Sequence, residues 1–213
     1  NFNLRGKKCT RMFFKKYINF TGKICYNKQN TKEDNHMPKE TISVKHLTNI
    51  SELKNELTWS DFKISTPDGS QLSASSFSLS AIGTPNIAQE KWDMQVLDER
   101  YNTYEDLIYA LVIDGKLLKI GKSITTMKKR VQSYHCGKNA YRLKQNATNS
   151  ATNWFILQSV LAIGKPVYIY CLYIPQSKGS FMGWTYINRI SKEIEGKIIT
   201  AFYEKYNRKP IGN

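Results

Sequence analysis

The stretch "LIYALVIDGKLLKIG" at 107–121 constrains this chain more than any other. Two short apolar runs flank an Asp-Gly dipeptide, the pattern of two short strands joined by a turn. A lysine inside the second run needs a reason. Lys119, between Leu118 and Ile120, is either an edge residue reaching water or a residue facing a site that requires a fixed positive charge. Register decides its neighbours. A two-residue turn of Asp114 and Gly115 pairs Ile113 with Lys116 and puts Tyr109 and Lys119 on opposite faces. A three-residue loop that includes Lys116 pairs Leu111 with Lys119 and sets Tyr109 diagonally beside it. Only the second arrangement builds a site.

With 213 residues, 40% of them hydrophobic, the chain can bury one good core, or one core plus a small accessory region. It contains no run of eighteen apolar residues and no secretory pattern at its start, so a soluble, cytoplasmic protein is expected. Cys9, Cys25, Cys136 and Cys171 lie far apart without zinc-ligand spacing and read as reduced thiols. The net charge of +15 is unevenly spread. Residues 1–36 carry nine Lys/Arg and two acids, 37–105 carry six and ten, and 106–213 carry seventeen and five. Between Asp114 and Glu193 there are thirteen Lys/Arg and no acid. A merely solubilising surface usually mixes both signs. This one attracts polyphosphate, of which nucleic acid is the commonest.

Residues 1–36 form a basic, aperiodic tail to which no fold is assigned; Met37 is a plausible true start. Residues 37–104 read as an accessory region for DNA embrace or dimerisation, with helices expected over 43–57 and 86–102. From 105 to 213 the pattern sharpens into an α+β unit. Strands are expected at 107–113, 117–121 and 166–174, and helices at 124–134, 151–163 and 187–207. In the third strand Val167, Ile169 and Cys171 alternate with Tyr168, Tyr170 and Tyr173, as a half-buried strand should.

Ser123 is a reasonable cap for the helix that follows, where Arg130 and Tyr134 share a face. That helix starts where the Lys119 strand ends, so a guanidinium and a phenol can lean over Tyr109 and Lys119. Taken alone, Lys128, Lys129 and Arg130 read as a solvated charge run, and Tyr109 as a packed aromatic. Phosphodiester chemistry with a divalent metal also needs a carboxylate. In this half the acids are Asp106, Asp114, Glu193, Glu195 and Glu204. The last helix has a core stripe of Ile194, Ile198, Phe202 and Tyr206. Glu193 shares a face with Lys197, whereas Glu195 sits at the stripe's edge and is the better-placed ligand.

Tyr109, then ten residues on Lys119-Ile120-Gly121, then Arg130, Tyr134 and Glu195, with the ending "NRKPIGN", together resemble the GIY-YIG nuclease superfamily. The resemblance runs from about residue 105 to the end and is strongest to the small type II restriction endonucleases, where lysine replaces the second motif tyrosine. It implies a GIY-YIG core: a small, three-stranded, antiparallel-type sheet flanked by helices. It also implies that Glu195 binds one Mg²⁺, for which Mn²⁺ can substitute, at the scissile phosphate and the leaving 3′ oxygen. Tyr109, helped by Lys119, is then the general base toward water, Arg130 stabilises charge on the phosphate, and Tyr134 positions phosphate or water. Leu107 departs from the first motif glycine. Lys122 stands where relatives can carry histidine, and His135 adjoins Tyr134. Asn213 matches a terminal motif asparagine, although a last residue is expected to fray.

The implied function is site-specific cleavage of double-stranded DNA by a homodimer reading a short palindrome. A repair or mobile-element nuclease is the alternative within the class; a non-catalytic nucleic-acid-binding module using stacked tyrosines is the alternative outside it. Lys122, Lys128, Lys129, Lys138, Arg142, Lys144 and Arg189 are the expected DNA contacts. Loops 137–150 and 176–189 offer side chains for base readout.

Overall fold

The computed structural model describes residues 16–18, 24–26, 53–142 and 149–213, with the side chains of 16–18, 24–26 and 137–151 excepted. The chain divides into two units, 1–41 and 42–213. In the first, β1 (Lys16–Ile18) and β2 (Ile24–Tyr26) pair antiparallel, so the segment expected to carry no fold contains a short ladder. The second unit holds everything else, including most of the expected accessory region. The helix expected over 43–57 lies mostly outside the described residues.

The second unit begins with a small antiparallel pair, β3 (Lys63–Ser65) and β4 (Gln71–Ser73), between single 3₁₀ turns at Trp59–Asp61 and Ala74–Ser76. Next come β5 (Ser78–Asn86), β6 (Lys91–Val96) and the short α1 (Arg100–Thr103). The expected hairpin is β7 (Leu107–Ile113) and β8 (Lys116–Ser123), followed by α2 (Met127–Arg142), α3 (Asn149–Ile163) and β9 (Val167–Tyr173). A second hairpin, β10 (Ser177–Phe181) and β11 (Trp184–Asn188), leads into α4 (Ser191–Tyr206). Among the described residues no helix is long and apolar enough to cross a membrane.

The main sheet has five antiparallel strands in the order β6-β5-β9-β7-β8. The three expected strands are contiguous as β9-β7-β8, but the sheet is wider than three because β5 and β6 extend it from the accessory region. The helix expected over 86–102 is replaced by β6 and α1. In "KWDMQV" the apolar Trp92, Met94 and Val96 alternate with Lys91, Asp93 and Gln95, and pairing along β5 selects that period of two over the helical one. Trp92 is thereby buried, its ring tilted by 37° against that of Tyr134 with centroids 5.3 Å apart.

β7 is buried along its whole length because both of its faces are covered. On one face Leu107, Tyr109, Leu111 and Ile113 meet Met127, Val131 and Tyr134 of α2 and Trp154 and Leu157 of α3. On the other, Ile108, Ala110 and Val112 meet Ile198 and Phe202 of α4 together with Trp59 and Phe62. Truncating one such central aliphatic to alanine costs about 2–5 kcal/mol.

The β7–β8 register combines the two expected arrangements. The turn has two residues, Asp114 (φ 51°) and Gly115 (φ 71°), and pairs Ile113 with Lys116. A β-bulge then inserts Leu118, so that Leu111 pairs with Lys119 and Tyr109 with Gly121. Lys119 therefore shares the α2-covered face with Tyr109 despite the short turn. Strand β8 runs through Ser123, so that residue is no cap. Thr126 does the capping: its hydroxyl accepts from the Lys129 N–H at 3.3 Å.

Candidate active site

The Tyr109 ring lies across its cross-strand partner Gly121, where a Cβ would sit 2.5 Å from the phenol's Cζ and Oη. Glycine at 121 is therefore a condition for the phenol's position. Arg130 Nε donates to Tyr109 Oη at 3.0 Å, and Tyr134 Oη is 2.8 Å from the same oxygen. The Arg130 guanidinium stands 5.7 Å and 5.5 Å from the two ring centroids and so covers the pair. Both tyrosines are fully buried, and burial pushes the Tyr134 phenol well above its ordinary pKa. Tyr134 thus keeps its proton, and either phenol of the pair can donate to the other.

Lys119 is 9% exposed, and its ammonium donates to the Gly212 carbonyl at 2.7 Å. Burial, then the Arg130 charge, lowers its pKa to about 8, against a smaller opposing effect of Glu195. The chain end that receives this bond is itself fixed. Asn213 Nδ2 donates to the Ile120 carbonyl at 2.5 Å, and its Oδ1 accepts from the Ile120 N–H at 2.8 Å. The expectation that Asn213 frays fails because its side-chain amide completes hydrogen bonding on the outer edge of β8.

Glu195, half-buried on α4, lies near enough to Lys119 and Arg130 to favour the charge of each. No hydrogen bond or ion pair engages its carboxylate among the described residues. No group of three or more His, Cys, Asp or Glu side chains forms a metal cluster among those residues either. Mg²⁺ commonly takes one or two carboxylates and fills its remaining positions with water and phosphate oxygens. A single open carboxylate fits that habit, and it does not fit a structural zinc site.

No protein-family model matches the sequence, nor does any curated protein. Among solved structures the chain is similar to restriction endonuclease HPY188I in complex with product DNA, at 37% identity over 79% of this chain and 92% of that one, with a TM-score of 0.57. The chain belongs to the family of that restriction endonuclease. A mutant of bacteriophage T4 EndoII overlaps at 17% identity over 62% of this chain and 88% of that one, with a TM-score of 0.44.

Within this restriction endonuclease fold, the other expected site residues are dispersed. Lys122 pairs with Ile108 and so points to the α4 side of the sheet, away from the Tyr109 oxygen. His135 points the other way: its Nε2 accepts from the Trp92 N–H at 3.2 Å, and burial lowers its pKa. Lys128 is exposed. Lys129 and Arg189 both approach Glu105, at 3.9 Å and 2.9 Å, so Arg189 is partnered within the protein. The side chains of Lys138 and Arg142, and all of Lys144, lie outside the described residues, as does most of loop 137–150.

Sequence reasoning gave Asp106 no role. It is buried with φ 63°, and its carboxylate accepts from the Ile190 N–H at 2.9 Å and the Ser191 N–H at 3.2 Å. Asp106 thus caps α4 from outside that helix and ties the start of the Tyr109 strand to the start of the Glu195 helix. Only its place just before a buried strand hinted at this. The expected readout loop 176–189 is instead the β10–β11 hairpin, turned by Met182 (φ 49°) and Gly183 (φ 81°).

Proposed function

We propose that this protein is a type II site-specific DNA endonuclease of the GIY-YIG superfamily, acting as a homodimer on double-stranded DNA with Mg²⁺. The observation that carries this reading is the convergence of Arg130 and Tyr134 on the Tyr109 oxygen, on the sheet face shared with Lys119. An architectural tyrosine needs neither a half-buried guanidinium on its oxygen nor a buried ammonium on its sheet face, and placing those charges there is costly. HPY188I, seen with product DNA, supports DNA as the substrate.

The reaction is hydrolysis of a phosphodiester. Water attacks phosphorus, the bond to the leaving 3′ oxygen breaks, and the products are a 5′-phosphate and a 3′-hydroxyl. Tyr109 accepts the proton of the attacking water. Its own phenolic proton leaves first to solvent, and the positive charges of Arg130, 3.0 Å away, and of Lys119 on the same sheet face offset the charge left on the oxygen. Arg130 covers Tyr109 before substrate arrives, then transfers its hydrogen bonds to the phosphate and uncovers the phenol. Tyr134 keeps its proton and orients the oxygen it touches. Glu195 holds the metal, which when bound supplies Lewis-acid stabilisation of the charge on phosphate and leaving oxygen.

Plasmid digestion in Mg²⁺ tests the reading, comparing the wild type with Glu195→Gln and measuring DNA binding by both. Discrete fragments from the wild type alone, with binding retained by the variant, are expected. A smear would replace site specificity with non-specific cleavage. No cleavage of any DNA, with salt-sensitive binding intact, would leave a binding module.

A further inference from the structure

The β10–β11 hairpin stands out from the rest of the unit. Of the eleven exposed large hydrophobic side chains among the described residues, five fall within its twelve positions: Phe181, Met182, Trp184, Tyr186 and Ile187. The register sorts them. Gly179, Phe181, Trp184 and Tyr186 share one face, while Lys178, Ser180, Thr185 and Ile187 share the other. Tyr186 lies across Gly179, close enough that a Cβ there would clash with the ring, which stiffens the ribbon. The root is held as well. Gln176 Nε2 donates to the Glu105 carbonyl at 3.2 Å, and Arg189 pairs with the Glu105 carboxylate.

Apolar exposure of this kind needs a partner, and charge indicates which. The hairpin lies in the acid-free stretch between Asp114 and Glu193 and carries Lys178 behind its aromatic face. A second copy of the same hairpin would set one basic, acid-free ribbon against another, whereas a polyanion is attracted. Strands of five residues reach roughly 17 Å, and a two-stranded ribbon fits a groove of double-stranded DNA. Its root also adjoins the start of α4, the helix that carries Glu195.

We propose that the β10–β11 hairpin inserts into a groove of double-stranded DNA, with Phe181, Met182 and Trp184 pressed against bases and sugars and Lys178 meeting phosphate. The proposal rests on the nuclease reading above and adds an element that grips the duplex away from the chemistry. Apolar wedges of this type partly unstack a base step and bend the duplex.

The sequence provides its own probe. Of the four tryptophans, Trp184 is 74% exposed, while Trp59, Trp92 and Trp154 are 8% exposed or less. Emission accessible to acrylamide therefore comes from Trp184. The experiment titrates linearised plasmid DNA into the full chain in EDTA at low salt, following acrylamide quenching beside a mobility shift. A Phe181→Ser/Trp184→Ser variant is tested for affinity and plasmid cleavage in parallel. The expected result is loss of quenching as the complex forms, with affinity of the variant lower by on the order of 10-fold or more at an unchanged salt slope. Undiminished quenching in a complex that the shift assay detects would overturn the hairpin proposal and leave the nuclease reading standing. Protection that appears with rising protein concentration and no DNA would assign the face to a second copy and also overturn it. Absence of both a shift and cleavage would overturn the nuclease reading, and the hairpin proposal with it.

Discussion

The β7–β8 and β10–β11 hairpins are built with the same devices and put to opposite uses. Each turns through a two-residue loop with a glycine second, Asp114-Gly115 in one and Met182-Gly183 in the other, both residues left-handed. Each lays a tyrosine over a cross-strand glycine, Tyr109 over Gly121 and Tyr186 over Gly179. The first is covered on both faces and holds its phenol under Arg130; the second is exposed nearly throughout. Local sequence thus fixes the hairpin and its aromatic lock, while the neighbouring layers determine whether the aromatic is enclosed or open to solvent. Burial makes Tyr109 precise at the cost of enclosing it, and exposure leaves Trp184 free to meet a partner.

The sharpest way to break the contrast is at the phenol. Tyr109→Phe should lower kcat by roughly 10²–10⁴-fold, the usual contribution of a proton-transfer group, with little change in DNA affinity; single-turnover cleavage beside a binding titration checks this. Gly121→Ala forces the ring out of place and should cost activity together with about 1–3 kcal/mol of stability. Gly179→Ala should cost less in a denaturant titration, because the half-exposed Tyr186 can swing aside.

Lys119→Met tests what the buried charge costs. The folded ammonium titrates near pH 8, against an ordinary 10.5, because burial disfavours it. Below pH 8 the fold carries that penalty in full. Between pH 8 and 10.5 the unfolded chain binds more protons than the native one, so native stability rises with pH. The penalty is worth up to roughly 3 kcal/mol, of which the lost bond to Gly212 offsets about 1 kcal/mol. The methionine variant should therefore be inactive yet more stable by about 2 kcal/mol at pH 7, an advantage that vanishes by pH 10.5. Thermal melts across that range check it. Asp106→Ala should cost about 1–2 kcal/mol through the lost cap. Trp184→Ser should change stability by less than about 0.5 kcal/mol, since its ring touches little of the core.

Much of the arrangement around the Tyr109 oxygen was legible because its signals are local. Arg130 and Tyr134 are one helical turn apart, and the spacing from Tyr109 to Lys119 spans a single hairpin. What escaped depended on partners outside the stretch being read. Strand β6 read as a helix because its pairing partner β5, which imposes its period, lies almost entirely before residue 86. The Leu118 bulge has no marker in an apolar run, so one turn length could not settle the face of Lys119. Arg189 looked free because Glu105, which neutralises it, is 84 residues away. The aromatic hairpin was taken for a readout loop because its two glycines and polar residues suggested irregular backbone, although "WTYIN" is rich in strand formers.

Asp106 has a mechanical meaning. Between the end of β11 and the start of α4 there are only Arg189 and Ile190, and the Asp106 carboxylate grips the amide of Ile190 and that of Ser191 just beyond. The strand bearing Tyr109, the helix bearing Glu195 and the stem of the ribbon therefore meet at one rivet. A lever pulled at the ribbon's tip has no slack loop to absorb the pull, so whatever bends there is felt as torque at the start of the helix that carries Glu195.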